Sequence, residues 1–253
     1  MKLTGNTILI TGGSGGIGLA FAKKFVELGN EVIITGRQQD KLDAALKETP
    51  KLQAIKSDAG DAKAVAELAQ NLKTKFPALN VLFNNAGIMV YKNLASPEDL
   101  GKLTSEIDIN LSGPIRMVSA LIEQLKANKG TIINVSSGLA FVPLQAAPIY
   151  CATKAAMHSY TISLRQQLAE HSVEVIELMP PAVKTDLAVI PEESGAKIIT
   201  TDVLVEATMK ALEKGKPEIR PGQANQLRFM SRVAPNFIAG QLAKGSKSLI
   251  PPA

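Results

Sequence analysis

The sequence predicts an α/β fold, a doubly wound parallel sheet of about seven strands with helices on both faces. Short apolar runs such as Thr7-Ile8-Leu9-Ile10 alternate with longer segments of helical periodicity along most of the chain. These runs are rich in β-branched residues, which suits strands that are buried on both faces of a parallel sheet. With 253 residues, of which 45% are apolar, the chain can bury one sizeable core, so we expect a single domain over 1–253.

Several predicted elements begin or end at a recognisable signal. A glycine-rich turn opens the first helix, and Gly29-Asn30 ends it. Ser96-Pro97 opens the fourth helix, whose regularity Gly113-Pro114 should disturb, and Pro180-Pro181 stops the sixth strand. Strands are predicted at 7–11, 31–35, 52–56, 80–83, 131–136 and 173–178, and helices at 16–28, 38–48, 61–75, 97–127, 148–170 and 201–214.

The pattern weakens beyond residue 180. Residues 186–200 form an apolar connection beside the carboxyl ends of the strands, which is either a substrate lid or a pair of short helices packed on the body. Residues 223–253 form a basic, amphipathic tail. Packing against the body or a second subunit is the default for this tail, and contact with an anionic membrane surface is the alternative.

Composition argues against several classes of protein. The net charge of +5 arises in residues 207–253, which contain eight Lys or Arg and two acidic residues, but no nucleic-acid recognition motif accompanies these dispersed charges. A single cysteine, Cys151, excludes an internal disulfide, and with two histidines we expect no metal site. Without a long apolar segment or a leader-like start, the protein is expected to be soluble and cytoplasmic.

A glycine-rich loop, Thr11-Gly12-Gly13-Ser14-Gly15-Gly16-Ile17-Gly18, joins the first strand to the first helix. Glycines at such a turn let backbone N–H groups and the helix N-terminus contact a pyrophosphate, which predicts dinucleotide binding by a Rossmann-like fold. Because Leu19 follows Gly18, the loop lacks the Gly-Lys-Ser/Thr ending of a triphosphate-binding loop. The loop also matches the G-x-S-x-G pattern of hydrolases, but only one strand precedes Ser14, so no upstream loop can supply an oxyanion donor.

The end of the second strand indicates which dinucleotide is bound. An NAD-binding fold usually places an acid there, on the ribose 2′-hydroxyl. This chain has Thr35-Gly36-Arg37 instead. A guanidinium suits a 2′-phosphate through charge-assisted hydrogen bonds, so NADP(H) is the preferred cofactor and NAD(H) the alternative.

Tyr150 and Lys154 form a second motif, four residues apart on a predicted helix and thirteen residues after Ser137. Residues at this spacing share one helix face. Lowering the pKa of a tyrosine from about 10 to about 7 needs roughly 4 kcal/mol, which a cation about 4 Å away can supply. The pair therefore predicts a tyrosine that gives or takes a proton near neutral pH.

Taken together, these motifs resemble those of the classical short-chain dehydrogenase/reductase family. The resemblance rests on the glycine loop, Asn84-Asn85-Ala86-Gly87, Asn110, Ser136-Ser137 and the Tyr150/Lys154 pair, and covers about residues 5–190. The stretches 137–144, 150–164 and 173–181 are similar to the oxidoreductase subfamily of the teichoic-acid D-alanylation operon.

The resemblance implies a role for each matching residue. Tyr150 would be the general acid or base, Lys154 would lower its pKa and bind the nicotinamide ribose, Ser137 would contact the substrate oxygen, and Asn110 would hold a water of the proton relay. The implied cofactor-binding residues are Gly12, Ser14, Gly16, Ile17, Gly18, Arg37, Asp58, Ala59, Asn85, Ala86, Gly87, Ile88, Tyr150, Lys154, Pro180, Val183 and Thr185. The family usually has Gly where this chain has Pro181, which removes an N–H donor near the nicotinamide.

These motifs predict an NADP(H)-dependent oxidoreductase that transfers a hydride between nicotinamide and a carbonyl or secondary alcohol. A dinucleotide-binding sensor or scaffold without catalysis is the alternative, since it needs the glycine loop and no acid–base pair. The family commonly forms homodimers or homotetramers. The expected substrate-facing residues are Ser137, Leu139, Phe141, Val142, Gln145, Tyr150 and Tyr91.

Overall fold

A seven-stranded parallel sheet forms the centre of the protein, with the strand order β3-β2-β1-β4-β5-β6-β7. The computed structural model describes residues 1–97, 99–187 and 196–252. The strands are β1 Thr7–Ile10, β2 Glu31–Gly36, β3 Gln53–Lys56, β4 Leu79–Asn84, β5 Thr131–Val135, β6 Glu174–Leu178 and β7 Glu218–Ile219. The predicted doubly wound α/β fold is therefore confirmed.

The helices cover both faces of the sheet. They are α1 Gly16–Glu27, α2 Gln39–Glu48, α3 Ala62–Lys75, α4 Leu100–Leu103, α5 Ser105–Ile107, α6 Gly113–Ala127, α7 Pro148–Gln167, α8 Thr201–Glu213, α9 Gln223–Val233 and α10 Pro235–Ser246. Helices α1, α2 and α8 contribute to the core on one face, and α3, α6 and α7 to the core on the other. Neighbouring strand residues divide between the faces, since Ile8 and Ile10 belong to the first core and Leu9 to the second.

The predicted helix over 97–127 is interrupted, and that prediction is wrong in its boundaries. Two short helices, α4 and α5, lead into a π-helical segment, Asp108–Ser112, before α6 begins at Gly113. A Cβ at Gly113 would lie 2.4 Å from the Ala59 carbonyl oxygen, so this point of the helix packs directly on the backbone after β3. Pro114 follows in the first turn of α6, where its missing N–H costs no hydrogen bond.

The C-terminal part adds a seventh strand and two helices. Strand β7 has only two residues, which is too short for a periodic signal. Of the predicted tail, residues 223–246 fold into α9 and α10. Of the proposed lid over 186–200, residues 188–195 lie outside the described residues. Their flanks are tied together by a parallel bridge between Val183 and Ile199. No helix in the described ranges has the length and apolar character needed to cross a membrane.

Candidate active site

The glycine loop has no room for a side chain at Gly12 and Gly18. Gly12 has φ +65°, and a Cβ there would lie 2.8 Å from Ala86 Cα. A Cβ at Gly18 would lie 2.4 Å from the Gly12 carbonyl oxygen, so helix α1 approaches the loop closely. The loop residues Gly12, Ser14, Gly16 and Ile17 line a cleft of about 760 Å³ at the carboxyl edge of the sheet, and Gly18 is buried behind them.

Thr11 and Asn85 hold this loop in place. Thr11 Oγ1 accepts hydrogen bonds from the backbone N–H groups of Asn85 and Ala86, both at 3.0 Å. The Asn85 side-chain amide donates to the carbonyl oxygens of Thr11 and Gly12, at 2.9 and 3.1 Å. The Asn85 side chain thus braces the glycine loop, while Asn85, Ala86, Gly87 and Ile88 all line the cleft. This bracing was not predicted from the sequence.

The predicted Arg37 and Asp58 meet at one end of the cleft. Arg37 Nη1 lies 3.9 Å from Asp58 Oδ2, and both side chains are largely exposed, at 55% and 41%. Asp58 Oδ1 accepts the Gly60 N–H at 2.9 Å. Exposed ion pairs of this length are weak, so the guanidinium is available to another anion. Lys41 also lines this end and was missed, because nothing in a helix surface pattern separates it from a solvated lysine.

Ser137, Tyr150 and Lys154 come together in the middle of the cleft, where each is at most 7% exposed. Ser137 follows β5, and its Oγ accepts the Leu139 N–H at 3.1 Å, which starts a short 3-10 turn. Lys154 Nζ donates to the Val135 carbonyl at 2.9 Å and lies 5.6 Å from the centre of the Tyr150 ring. The predicted helix over 148–170 therefore holds the phenol and the ammonium side by side.

Burial decides the protonation of this group. Burial raises the pKa of the Tyr150 phenol above its ordinary value, and a hydrogen bond with Ser137 opposes it, while Cys151 and Glu106 add to the rise. The prediction that Lys154 brings the phenol pKa to about 7 is therefore wrong, because burial moves this pKa in the opposite direction. Burial lowers the pKa of Lys154 to about 8, against the attraction of Glu177. At neutral pH the phenol is protonated and the lysine is mostly charged.

Asn110 lies inside the π-helical segment and is 1% exposed. Its side-chain oxygen accepts the Ile88 N–H at 2.8 Å, and its amide donates to the Ile88 carbonyl at 2.8 Å and to Thr153 Oγ1 at 3.1 Å. Both amide protons are therefore committed within the protein. The side chain fixes the backbone of Ile88 at the cleft, and its implied role toward a relay water stays a prediction.

A buried carboxylate behind Lys154 was not predicted. Glu177 on β6 is 0% exposed, accepts a 2.5 Å hydrogen bond from Ser136 Oγ and contacts His158 Nδ1 at 2.8 Å. His158 lies one turn after Lys154 on the same face of α7. The available signal was a glutamate within a strand that is otherwise mostly apolar. Glu177 supplies a negative charge that favours the charged form of Lys154.

Replacing Glu177 with glutamine should lower the pKa of Lys154 below about 8, because the carboxylate that raises it is removed while burial remains. The lysine then loses its proton at lower pH, so the alkaline limb of the pH–rate profile should move to lower pH. Direct titration of isotope-labelled lysine by NMR measures the same shift. Glu123→Gln, at an exposed pair with Lys126, is the matched control. An unchanged alkaline limb in Glu177→Gln would contradict this role.

The predicted substrate-facing residues fall into two groups. The first group lines the cleft and consists of Tyr91, Ser137, Leu139 and Tyr150. The segment predicted to hold the cofactor lines it too, through Pro180, Val183 and Thr185, as does Pro181. Val142 is buried, and Phe141 packs edge-on against the His158 ring. Gln145 is exposed. Among the described lining residues Phe141, Val142 and Gln145 do not occur, so their substrate contact has no support from the position of their side chains.

Cys151, next to Tyr150, is buried and lies under the loop that precedes α7. The Leu144 N–H donates to its sulfur at 3.2 Å, and burial raises the pKa of the thiol to about 11. The thiol is therefore a packing group beside the predicted proton-transfer residues. Within the described residues there is no cluster of His, Cys, Asp and Glu suited to hold a metal ion.

A glycine loop at the carboxyl edge of a parallel sheet, beside a buried Ser-Tyr-Lys group, defines a dinucleotide-dependent oxidoreductase. The family model for short chain dehydrogenases matches residues 6–197, and the chain belongs to this family. It is a nicotinamide-dependent oxidoreductase that acts on CH–OH or C=O groups.

Similar proteins agree with this assignment. The chain is 40% identical over 237 residues to the uncharacterized oxidoreductase DltE of Bacillus subtilis, covering 92% of this chain and 94% of that protein. It is 38% identical over 200 residues to an NADPH-dependent 1-acyldihydroxyacetone phosphate reductase of Schizosaccharomyces pombe, covering 74% of this chain and 66% of that protein. A short chain dehydrogenase from Burkholderia cenocepacia, solved in complex with NADP, superposes with a TM-score of 0.82 at 26% identity and full coverage of both chains. The predicted relation to the D-alanylation operon oxidoreductase is thereby confirmed.

Proposed function

We propose that the protein is an NADP(H)-dependent reductase and dehydrogenase that interconverts a carbonyl compound and its secondary alcohol, with Tyr150 as the proton donor and acceptor. One observation carries this proposal. Ser137, Tyr150 and Lys154 line the same cleft as the glycine loop, although they come from β5 and α7 and the loop from β1 and α1. A binding protein without catalysis has no need to bury a phenol and an ammonium together.

The cleft fits a dinucleotide because Gly12, Gly15 and Gly16 line it with backbone that can approach a pyrophosphate, and because Arg37 and Lys41 also line it. When bound, the nicotinamide supplies or accepts the hydride. The residues of the chain manage the proton. Because burial keeps the Tyr150 phenol protonated at rest, it can donate to a carbonyl oxygen as negative charge develops there.

Ser137 and Lys154 assist this proton transfer. The Ser137 hydroxyl lies in the cleft and can donate to the same substrate oxygen, which stabilises its developing charge. The charged Lys154 favours the phenolate that forms after the proton has left Tyr150. In the direction of alcohol oxidation the same phenolate is the base.

The preference for NADP(H) rests on the charge at the end of β2. Arg37 and Lys41 place two cations at this end, and Asp58 is the acid opposite them. A 2′-phosphate can replace the long contact between Arg37 and Asp58 with charge-assisted hydrogen bonds to the guanidinium. The named NADPH dependence of one relative and the NADP complex of another are consistent with this choice.

The function is tested by transfer of deuteride from labelled NADPH to ketones of varied size. Mass spectrometry of the product alcohol should find one deuterium at the carbinol carbon, because the nicotinamide delivers the hydride and Tyr150 delivers only the hydroxyl proton. A protein that binds NADPH in calorimetry and transfers no label to any ketone or aldehyde would instead be the sensor or scaffold. Binding of neither dinucleotide would reject both functions.

A further inference from the structure

The cleft continues beyond Ser137 and Tyr150 into a chamber walled by α9 and α10. Helix α9 lies directly over the turn that follows Ser137, since a Cβ at Gly138 would be 3.2 Å from Ala224 Cα and 3.3 Å from Leu227 Cδ1. The apolar side chains of Leu139, Leu144 and Met89 pack against the cluster that contains Tyr150, and they line the same cleft. The chamber therefore begins at the position of the reacting group.

Each helix turns one face to the chamber. The lining residues on α9 are Gln223, Gln226, Leu227 and Met230, and those on α10 and the following turn are Ile238, Gln241, Leu242, Gly245, Ser246 and Leu249. Their spacing of three or four residues is that of a single helix face. Each helix thus presents one continuous face to the chamber, and the two faces together contribute five apolar side chains.

The basic residues of the C-terminal tail lie outside the described lining of the chamber. Arg228 pairs with Glu218, and its guanidinium lies 5.8 Å from the Phe141 ring centre. Arg232, Lys244 and Lys247 are exposed. From Gln223 onward, no charged side chain occurs among the described residues that line the cleft. A segment rich in cations that presents only apolar and neutral polar groups to the chamber is unsuited to an anionic ligand and suited to an apolar one.

We infer that the chamber between α9 and α10 binds the apolar chain of the substrate, so that the substrate is a ketone or secondary alcohol on a long aliphatic chain. This inference rests on the proposed function, because it places the reacting carbon at Tyr150 and the chain beyond it. Glutamine and serine side chains on the same faces can form hydrogen bonds with a neutral polar group on the aliphatic chain of the substrate.

The test is a series of straight-chain methyl ketones from butanone to dodecanone. Burial of each added methylene should raise kcat/KM by about three- to fourfold until the chamber is filled. A chain-length dependence that is flat would overturn the inference. No turnover with any ketone would instead reject the proposed function, and calorimetry of dodecanol binding then decides whether the chamber takes an aliphatic chain.

Two neighbouring residues of α10 face in different directions, one toward the chamber and the other toward solvent. Ile238 lines the cleft, whereas Phe237 is 60% exposed and does not appear among the described lining residues. Ile238→Glu should reduce kcat/KM for dodecanone by about tenfold or more, and by a clearly larger factor than for butanone, because a carboxylate is costly beside a buried aliphatic chain. Phe237→Glu should leave both values unchanged. Equal effects of the two variants would contradict the chamber.

A second variant keeps the chamber apolar, so that a loss of activity caused by a misfolded Ile238→Glu protein can be recognised. Leu242→Trp fills part of the chamber with a larger side chain, so the preferred ketone should become shorter. Dodecanol binding should weaken by a similar factor, which is a measurement independent of turnover. A preferred chain length that stays the same would contradict the role of α10.

Discussion

Replacing Tyr150 with phenylalanine should lower the rate of ketone reduction by about 10²- to 10⁴-fold, because in the proposed function the phenol supplies the proton. The substitution removes one oxygen atom from a side chain that is 7% exposed, so the packing of the ring is preserved. Affinity for NADPH should change little. Single-turnover reduction with excess enzyme measures the chemical step, and calorimetry measures cofactor binding.

Tyr160→Phe is the matched control for this variant. Tyr160 lies on the same helix, α7, but it packs against the core that α3 and α6 form on one face of the sheet. The same chemical change there should leave the rate nearly unchanged. Equal single-turnover rates for Tyr150→Phe and the unmodified protein would exclude Tyr150 as the proton donor, whatever the effect on cofactor binding.

Replacing Arg37 with alanine should weaken NADPH binding by about 10- to 100-fold, because charge-assisted hydrogen bonds to a 2′-phosphate are lost. Binding of NADH, which lacks this phosphate, should be weakened by much less. The ratio of the two dissociation constants, measured by calorimetry at fixed ionic strength, is the quantity to compare. Since the Arg37 side chain is 55% exposed, its loss should leave the folded structure intact.

Arg232→Ala is the control for a general loss of positive charge, since Arg232 is exposed on α9 and is absent from the described lining of the cleft. This variant should leave both dissociation constants unchanged. If Arg37→Ala weakened NADPH and NADH binding by the same factor, the phosphate role would be refuted. Retained preference would then direct attention to Lys41 at the same end of the cleft.

The sheet and the pairing of Tyr150 with Lys154 could be predicted because their signals are local. The β-branched run Thr7–Ile10 and the loop that follows have fixed spacing, and the four-residue interval between Tyr150 and Lys154 determines that they share a helix face. These features need no knowledge of distant contacts. Their positions at the carboxyl edge then follow from the parallel order of the strands.

The remaining features depend on contacts between distant segments. Glu177 contacts His158 and acts on the charge of Lys154 only because β6 pairs with β5 under α7. Its place in a mostly apolar strand is a local signal, but that signal does not say which residues it meets. An irregularity at Gly113-Pro114 was predicted, but its π-helical form lies where Gly113 packs on the backbone of Ala59, a contact that the local sequence does not show. The phenol pKa was misjudged for the same reason, since the degree of burial around Tyr150 is a property of the whole fold.

The shielded position of Cys151 has a consequence for the chemistry of the protein in an oxidising cell. With a thiol pKa of about 11, only about one molecule in ten thousand carries the reactive thiolate at neutral pH. Reaction with an electrophile or a peroxide is therefore slow while α7 stays packed against the loop at Leu144. We therefore expect alkylation of the Cys151 sulfur to be slow in the folded protein, and its rate relative to the denatured protein measures how well the packing around Tyr150 shields this atom.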